Sequence, residues 1–171
     1  MNWNHIIIDG DKRDLKHLRP FTFAFEIAGE GDKPGLVYEI DVAFSLHCFT
    51  RAPQNEDDTV LHLEGERRTF CETRYGHSFR LPEIIQSLDQ RHVRQSGRGN
   101  YFTVEFIDEA GERLDYEVYF RLTKPGKRKN LRLFVESAYI RTKTDQFRNR
   151  KKKIRFKVLV NAVKHGRQIR I

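Results

Sequence analysis

His47, Glu117, Tyr119, Arg121, Ser137 and Tyr139 are residues of the types that metal-independent RNA cleavage uses. That reaction needs a base to take the 2′-hydroxyl proton, an acid for the leaving oxygen, and a cation beside the charge that develops on phosphorus. Glu117, Tyr119 and Arg121 recur at the period of a strand and so share one face with Arg113, Asp115 and Thr123; Glu105 is expected beside them on the preceding strand. For any one of these residues, cross-strand charge pairing on a wet sheet face is the plainer account. His47 is placed with Asp41 and Ser45, which would orient its imidazole, although a lone histidine is more often structural.

A second set could hold phosphates. Arg74, His77 and Arg80 surround Tyr75 in a loop ahead of a helix start and read as an anion cradle, or simply as a polar surface loop. Lys127, Arg128 and Lys129 fill a turn, and Arg132 and Arg141 bracket the strand after it. Arg148, Arg150, Lys151, Lys152, Lys153, Arg155 and Lys157 are interleaved with Phe147, Ile154 and Phe156. Cations alternating with apolar anchors suit a surface that tracks a nucleic-acid backbone, or a basic helix on an anionic membrane. The apolar positions are needed for the core, so no membrane contact is expected.

The charge distribution points the same way. The chain of 171 residues carries 32 Lys+Arg against 24 Asp+Glu. Residues 124–171 hold 17 of the cations and only Glu136 and Asp145 of the acids, a net +15, which leaves 1–123 at −7. An acidic body with a basic last quarter is what a phosphate-binding protein shows, because each neutralised phosphate releases a counterion. An acidic protein partner, or a face that merely solvates, would use the same charge.

Several chemistries lack their motif. Cys48 and Cys71 are too far apart for a Cys-x-x-Cys site, and a His-x-x-x-His spacing is missing. Asp115-Tyr116-Glu117 is not followed by the lysine of a metal-dependent nuclease core. Without a Walker loop, a Gly-x-Gly-x-x-Gly or a Gly-x-Ser-x-Gly elbow, no cofactor is expected. No run reaches the ~20 apolar residues of a membrane helix, and the first residues do not have the plan of a signal peptide, so the cytoplasm is the expected compartment.

These residues need a scaffold, and the length and the 38% hydrophobic content suit a single domain over 1–171. Residues 1–20 read as a lead-in strand or a loosely docked arm. Alternation from Phe21 to Ile27, a Gly/Pro-rich loop, and alternation from Leu36 to Phe49 make a hairpin with a long loop. Residues 64–80 show no clear period, Pro82 opens a short helix over 82–92, and 95–100 reads as a connector. Two alternating runs over 101–124, with a turn at 108–111, form a hairpin, and 131–141 adds a third antiparallel strand. Residues 151–164 fit both a strand and a helix; a C-terminal helix is preferred, with Thr144 or Asp145 to cap it and Gly166 to end it. The fold class is α+β: an antiparallel sheet of about five or six strands built from hairpins, one short mid-chain helix and a C-terminal helix.

The strand end Ser137-Ala138-Tyr139 resembles the late strand of small bacterial ribonucleases and toxins of the barnase/RelE-like group, where a Ser/Thr-x-Tyr strand end lies over a four-stranded antiparallel sheet. The resemblance spans residues 101–141. It implies that Ser137, Tyr139 and Arg141 contact phosphate or position protons; a core strand with a buried tyrosine is the plainer account. The functional expectation is a protein that acts on nucleic acid, RNA favoured over DNA, as a metal-independent ribonuclease or toxin-like factor. A non-catalytic binding or regulatory module, or an interaction protein with an acidic partner, is the alternative.

Overall fold

A computed structural model describes residues 3–29, 31–32, 34–56, 58–97, 100–109, 111–124, 126, 129–141 and 152–167, excepting the side chains of 97, 106, 108, 109 and 113. The fold is α+β. Twelve strands are formed among the described residues: β1 His5–Ile8, β2 Asp11–Asp14, β3 Phe21–Ile27, β4 Leu36–Phe44, β5 Thr50–Arg51, β6 Leu61–Leu63, β7 Glu66–Phe70, β8 Val93–Gly97, β9 Asn100–Glu109, β10 Glu112–Thr123, β11 Leu131–Ile140 and β12 Lys153–Ile154. Three α-helices accompany them: α1 Glu72–Ser78, α2 Leu81–Gln86 and α3 Phe156–Lys164.

The main sheet has seven strands in the order β12-β8-β9-β10-β11-β4-β3. All neighbours are antiparallel except β11 and β4, which run parallel. The expected meander is present as β9-β10-β11, and the expected β3-β4 hairpin is attached to its far side. The sheet therefore has one more strand than the upper expectation, because β8 and β12 extend it where a connector and the tail were expected.

One face of the sheet carries the core. Ile40, Val42, Phe44, Tyr116, Val118, Phe120, Leu131, Leu133 and Val135 are buried there together with Leu81, Ile85 and Leu88 from the α2 region and Phe156, Leu159 and Val160 from α3. Phe156 meets Phe25 and Phe120 edge-on, at centroid distances of 5.0 and 6.4 Å. This packing decides the tail in favour of a helix: Phe156, Leu159 and Val160 recur at helical spacing and all face the core.

The first residues are not a loose arm. Asp9 and Gly10 both have positive φ, the geometry of the tight turn that suits a twisted hairpin, and they join β1 to β2. Leu15 and Leu18 are buried, and the Trp3 indole donates to the Phe44 carbonyl at 2.8 Å. β4 stops at Phe44 and passes into a 3-10 turn, Leu46–Cys48, capped by the Ser45 hydroxyl accepting from the His47 N–H. Beyond that turn β5, β7 and β6 form a small sheet.

Candidate nucleic-acid interface

The register of the main sheet fixes what its other face presents. Directly opposed residues point the same way, and Lys153, Arg94, Phe102, Tyr119 and Ser137 are successive partners across five strands. A neighbouring row runs Val104, Glu117, Tyr139; on the other side lie Arg121 with Phe134 and Ala43, then Thr123 with Arg132, Asp41 and Thr22. Glu105 is not part of this face. It opposes the core residue Tyr116 and is bonded by the Arg91 guanidinium, because β9 turns Phe102 and Val104 outward instead.

At one end of the face Glu117 is fully buried. Its Oε2 accepts from the Tyr119 hydroxyl at 2.6 Å and from the Arg141 Nε at 2.8 Å, and Arg141 Nη2 donates to the Tyr119 oxygen at 2.9 Å. Burial, the bond to Glu117 and the bond with Tyr139 all raise the pKa of the Tyr119 phenol. Burial pulls the Arg141 guanidinium down, but its bonds to Glu117 and Tyr119 outweigh this and hold it above its ordinary value. The rings of Phe102, Tyr119 and Tyr139 follow one another at 5.2 and 5.7 Å, nearly parallel, and the Arg74 guanidinium sits 5.2 Å from the Tyr139 centroid.

This closeness depends on an irregularity in β11. Tyr119 opposes Ser137 but Phe120 opposes Val135, so Glu136 is the extra residue of a bulge. The bulge keeps Leu133, Val135, Ala138 and Ile140 toward the core while Ser137 and Tyr139 stay on the outer face. Glu136 reaches back to Arg121 at 2.6 Å and to the Asn100 amide.

Toward the other end the face opens into a hollow of about 360 Å³ lined by Ala43, Arg121, Thr123, Arg132 and Phe134. Arg121 and Arg132 are exposed, and the Arg132 guanidinium lies 5.9 Å from the Phe134 centroid.

The structure thus gathers Glu117, Tyr119, Ser137, Tyr139 and Arg141, and places Arg121 and Arg132 on the same face. The His47 imidazole is not oriented by Asp41 and Ser45 as expected: only its backbone N–H meets Ser45, in the 3-10 turn, and its Nε2 lies 2.9 Å from Glu66 Oε2. Arg74 and His77 belong to α1 instead of a loop; His77 is buried with its ring 5.4 Å from that of Tyr116, while Arg80 is exposed. Lys129 and Lys152 precede β11 and β12, Lys153 is in β12, and Arg155 and Lys157 flank the start of α3. Lys127, Arg128, Arg148, Arg150 and Lys151 lie outside the described residues. Cys48 is buried, and burial pushes its thiol up to about 12, so it is no nucleophile. Among the described residues no three His, Cys, Asp or Glu side chains are grouped to hold a metal ion, and no helix is long and apolar enough to cross a membrane.

One pair was missed by the sequence reading. His17 Nε2 lies 2.7 Å from the Ser78 Oγ, with Asp14 nearby in sequence, the outline of a nucleophile and its base. The Ser78 hydroxyl, however, donates to the Tyr75 carbonyl at 2.7 Å, so the imidazole must be the donor to Ser78 and cannot activate it. The pair is a clamp between the β2 region and α1.

The comparisons with known proteins overturn the barnase/RelE-like resemblance. The Ser-Ala-Tyr strand end that suggested it is where strand alternation resumes after the Glu136 bulge, with Ser137 and Tyr139 on the outer face and Ala138 toward the core. The match covers far more of the chain than residues 101–141. A family model described as the YjaZ family matches residues 5–164. Protein YjaZ of Escherichia coli (strain K12) is 34% identical over 137 residues, covering 77% of this chain and 75% of that protein. No solved structure matches. Matched along nearly its whole length, from β1 to the end of α3, the chain belongs to the YjaZ family.

Proposed function

We propose that this protein binds single-stranded nucleic acid, RNA in preference to DNA, on the outer face of its seven-stranded sheet, and that it does so in the cytoplasm without cleaving it. The observation that carries the reading is the hollow at Arg121, Thr123, Arg132 and Phe134, where exposed guanidiniums flank an aromatic ring on a sheet face that carries none of the core helices. Sheet faces that combine cations for the backbone with rings for the bases are a recurrent way to hold unpaired strands. Lys153 and Arg94 continue the positive charge across β12 and β8.

Binding is favoured over turnover by the state of Glu117. A general base must reach the 2′-hydroxyl; this carboxylate is fully buried and is closed by Tyr119 and Arg141.

The test is fluorescence anisotropy of labelled single-stranded RNA, duplex DNA and single-stranded DNA at stepped salt with EDTA present, with the RNA also run on a denaturing gel. The expected result is RNA affinity that falls steeply with salt, a loss of about tenfold in Arg132→Ala, and a salt slope reduced by about one. No binding at low salt would overturn the reading and turn attention to an acidic protein partner. RNA cleavage in EDTA that is lost in Tyr139→Phe would replace it with the ribonuclease reading.

A further inference from the structure

β4 leaves the sheet after Phe44, while β11 continues to Ile140, and the Leu46–Cys48 turn and α1 pack where β4 would have run. A cleft of about 580 Å³ opens there, lined by Arg51, Gln54, Thr73, Arg74, Tyr139 and Arg141 among others. No carboxylate is among the described residues that line it.

The cations around this cleft are incompletely balanced. Arg51 is held fork-to-fork by Asp58 at 2.6 and 2.7 Å, and Arg141 gives Glu117 a single bond from its Nε at 2.8 Å. Arg74 has neutral partners instead: its Nη1 donates to the His47 carbonyl at 3.0 Å and to the Thr50 carbonyl at 2.8 Å. The Thr50 carbonyl also accepts from Arg68 Nη2 at 3.2 Å, so two guanidiniums converge on one oxygen. Arg68 is held below its ordinary value chiefly by burial; the Glu66 carboxylate, 3.8 Å from its Nη1, opposes this and the charge of Arg74 adds to it, so of these cations Arg74 is the one left with neutral partners. A guanidinium bonded only to neutral oxygens beside a cleft is a ready partner for an anion that enters it.

The cleft is also held in shape. Asp58 accepts from the Gln54 and Asn55 N–H groups as well as from Arg51, which fixes the loop that forms one wall. Tyr139 holds the Arg74 guanidinium against its ring. The bonds of Arg141 to Glu117 and Tyr119 use Nε and Nη2, so its Nη1 is the edge these two partners do not engage. Two guanidiniums that line one cleft, each held by bonds of its own, suit the doubly charged oxygens of a phosphomonoester better than the single charge of a phosphodiester. The volume falls within the range of about 300–1,000 Å³ usual for small-molecule sites. Tyr139 and Arg141 belong both to this cleft and to the aromatic end of the sheet face.

We infer that this cleft binds the phosphomonoester of a nucleotide through Arg74 and Arg141, either the phosphorylated end of a strand lying on the sheet face or a free mononucleotide. The strand-end form rests on the binding reading above; the mononucleotide form does not.

The experiment measures the full chain against internally labelled single-stranded RNAs that end in a 5′-phosphate, a 3′-phosphate or only hydroxyls, with AMP and adenosine as competitors. A phosphate end is expected to tighten binding at least about tenfold by virtue of two charge-assisted contacts, and AMP to compete where adenosine does not. Arg74→Ala should abolish the preference. Because that variant also loses the bonds to His47 and Thr50, Thr73→Glu is the second test: Thr73 is exposed, and a carboxylate there should remove the phosphate preference while hydroxyl-ended RNA binds as before. RNA binding with no phosphate preference and no AMP competition overturns the inference and leaves the sheet-face reading intact. AMP binding without binding of any RNA overturns the sheet-face reading and establishes the cleft as a mononucleotide site.

Discussion

Glu117 and Arg141 form an ion pair at 2.8 Å in which the glutamate side chain has no exposure and the arginine side chain keeps 25% of its own. The pair joins the middle of β10 to the end of β11, and the Tyr119 hydroxyl closes it into a triangle. The desolvation of such a pair offsets most of its own attraction, yet removing one member alone leaves an uncompensated buried charge.

Arg141→Ala should therefore destabilise the protein by about 3 kcal/mol, while Glu117→Leu combined with Arg141→Met should recover most of the loss. Urea unfolding of the two single variants and the double variant measures this. A double variant that folds but loses RNA binding would show that the triangle serves the interface as well as the fold.

Tyr116 is fully buried, and its hydroxyl has no hydrogen-bond partner among the described residues. Removing a polar group that earns no bond relieves its desolvation. Tyr116→Phe should leave stability unchanged or raise it by about 1 kcal/mol, as read from the urea midpoint. Loss of stability in that variant would mean that the hydroxyl has a partner, such as a bound water.

His17 is packed against Phe79 at 3.9 Å and clamped to Ser78, and burial lowers its pKa. Its folded pKa is below the unfolded value of about 6.5, so the unfolded state takes up the proton first. The stability this histidine contributes is present above that value and is lost as pH falls through its folded pKa. His17→Phe should flatten the stability profile below about pH 6.5, measured as Tm between neutral and mildly acidic buffers.

Asp58 accepts from Arg51, Gln54 N–H and Asn55 N–H, and these bonds hold its carboxyl well below the usual carboxylate range. Its contribution is present above the unfolded pKa of about 3.9 and persists until strongly acid conditions protonate the folded form. Asp58→Ala should loosen the loop between β5 and β6, giving new cleavage sites within residues 52–59 in limited proteolysis at neutral pH. Protection equal to that of the parent protein would remove Asp58 as the loop's anchor.

Local patterning made part of this fold legible. The β9-β10-β11 meander shows in the alternation of 101–141, with Gly111 at φ +80° in its first turn, and α3 shows in the spacing of Phe156, Leu159 and Val160. α1 was not legible: Arg74-Tyr75-Gly76-His77 has a central glycine and no side-chain cap, and the helix exists because His77 and Ser78 are buried against neighbours far away in sequence. Period two also could not say which side of β9 meets the core, since Phe102 and Tyr101 are both buried. Glu117, Tyr119, Tyr139 and Arg141 could be grouped from strand spacing alone. Arg74 could be picked out as a cation, but its seat over Tyr139 depends on α1 docking against β11, which no local pattern encodes.

The parallel pairing of β4 with β11 places Leu131 beside Ile40, about 90 residues apart along the chain, and such distant pairing is entropically slow to close. During synthesis the β3-β4 hairpin must wait, with one edge of β4 bare, until the chain beyond residue 131 has left the ribosome. A bare strand edge is a template for pairing with the wrong chain. The nascent protein is thus most exposed to aggregation just before β11 arrives, and its yield should depend on how fast that last stretch is translated and how many copies are waiting beside it.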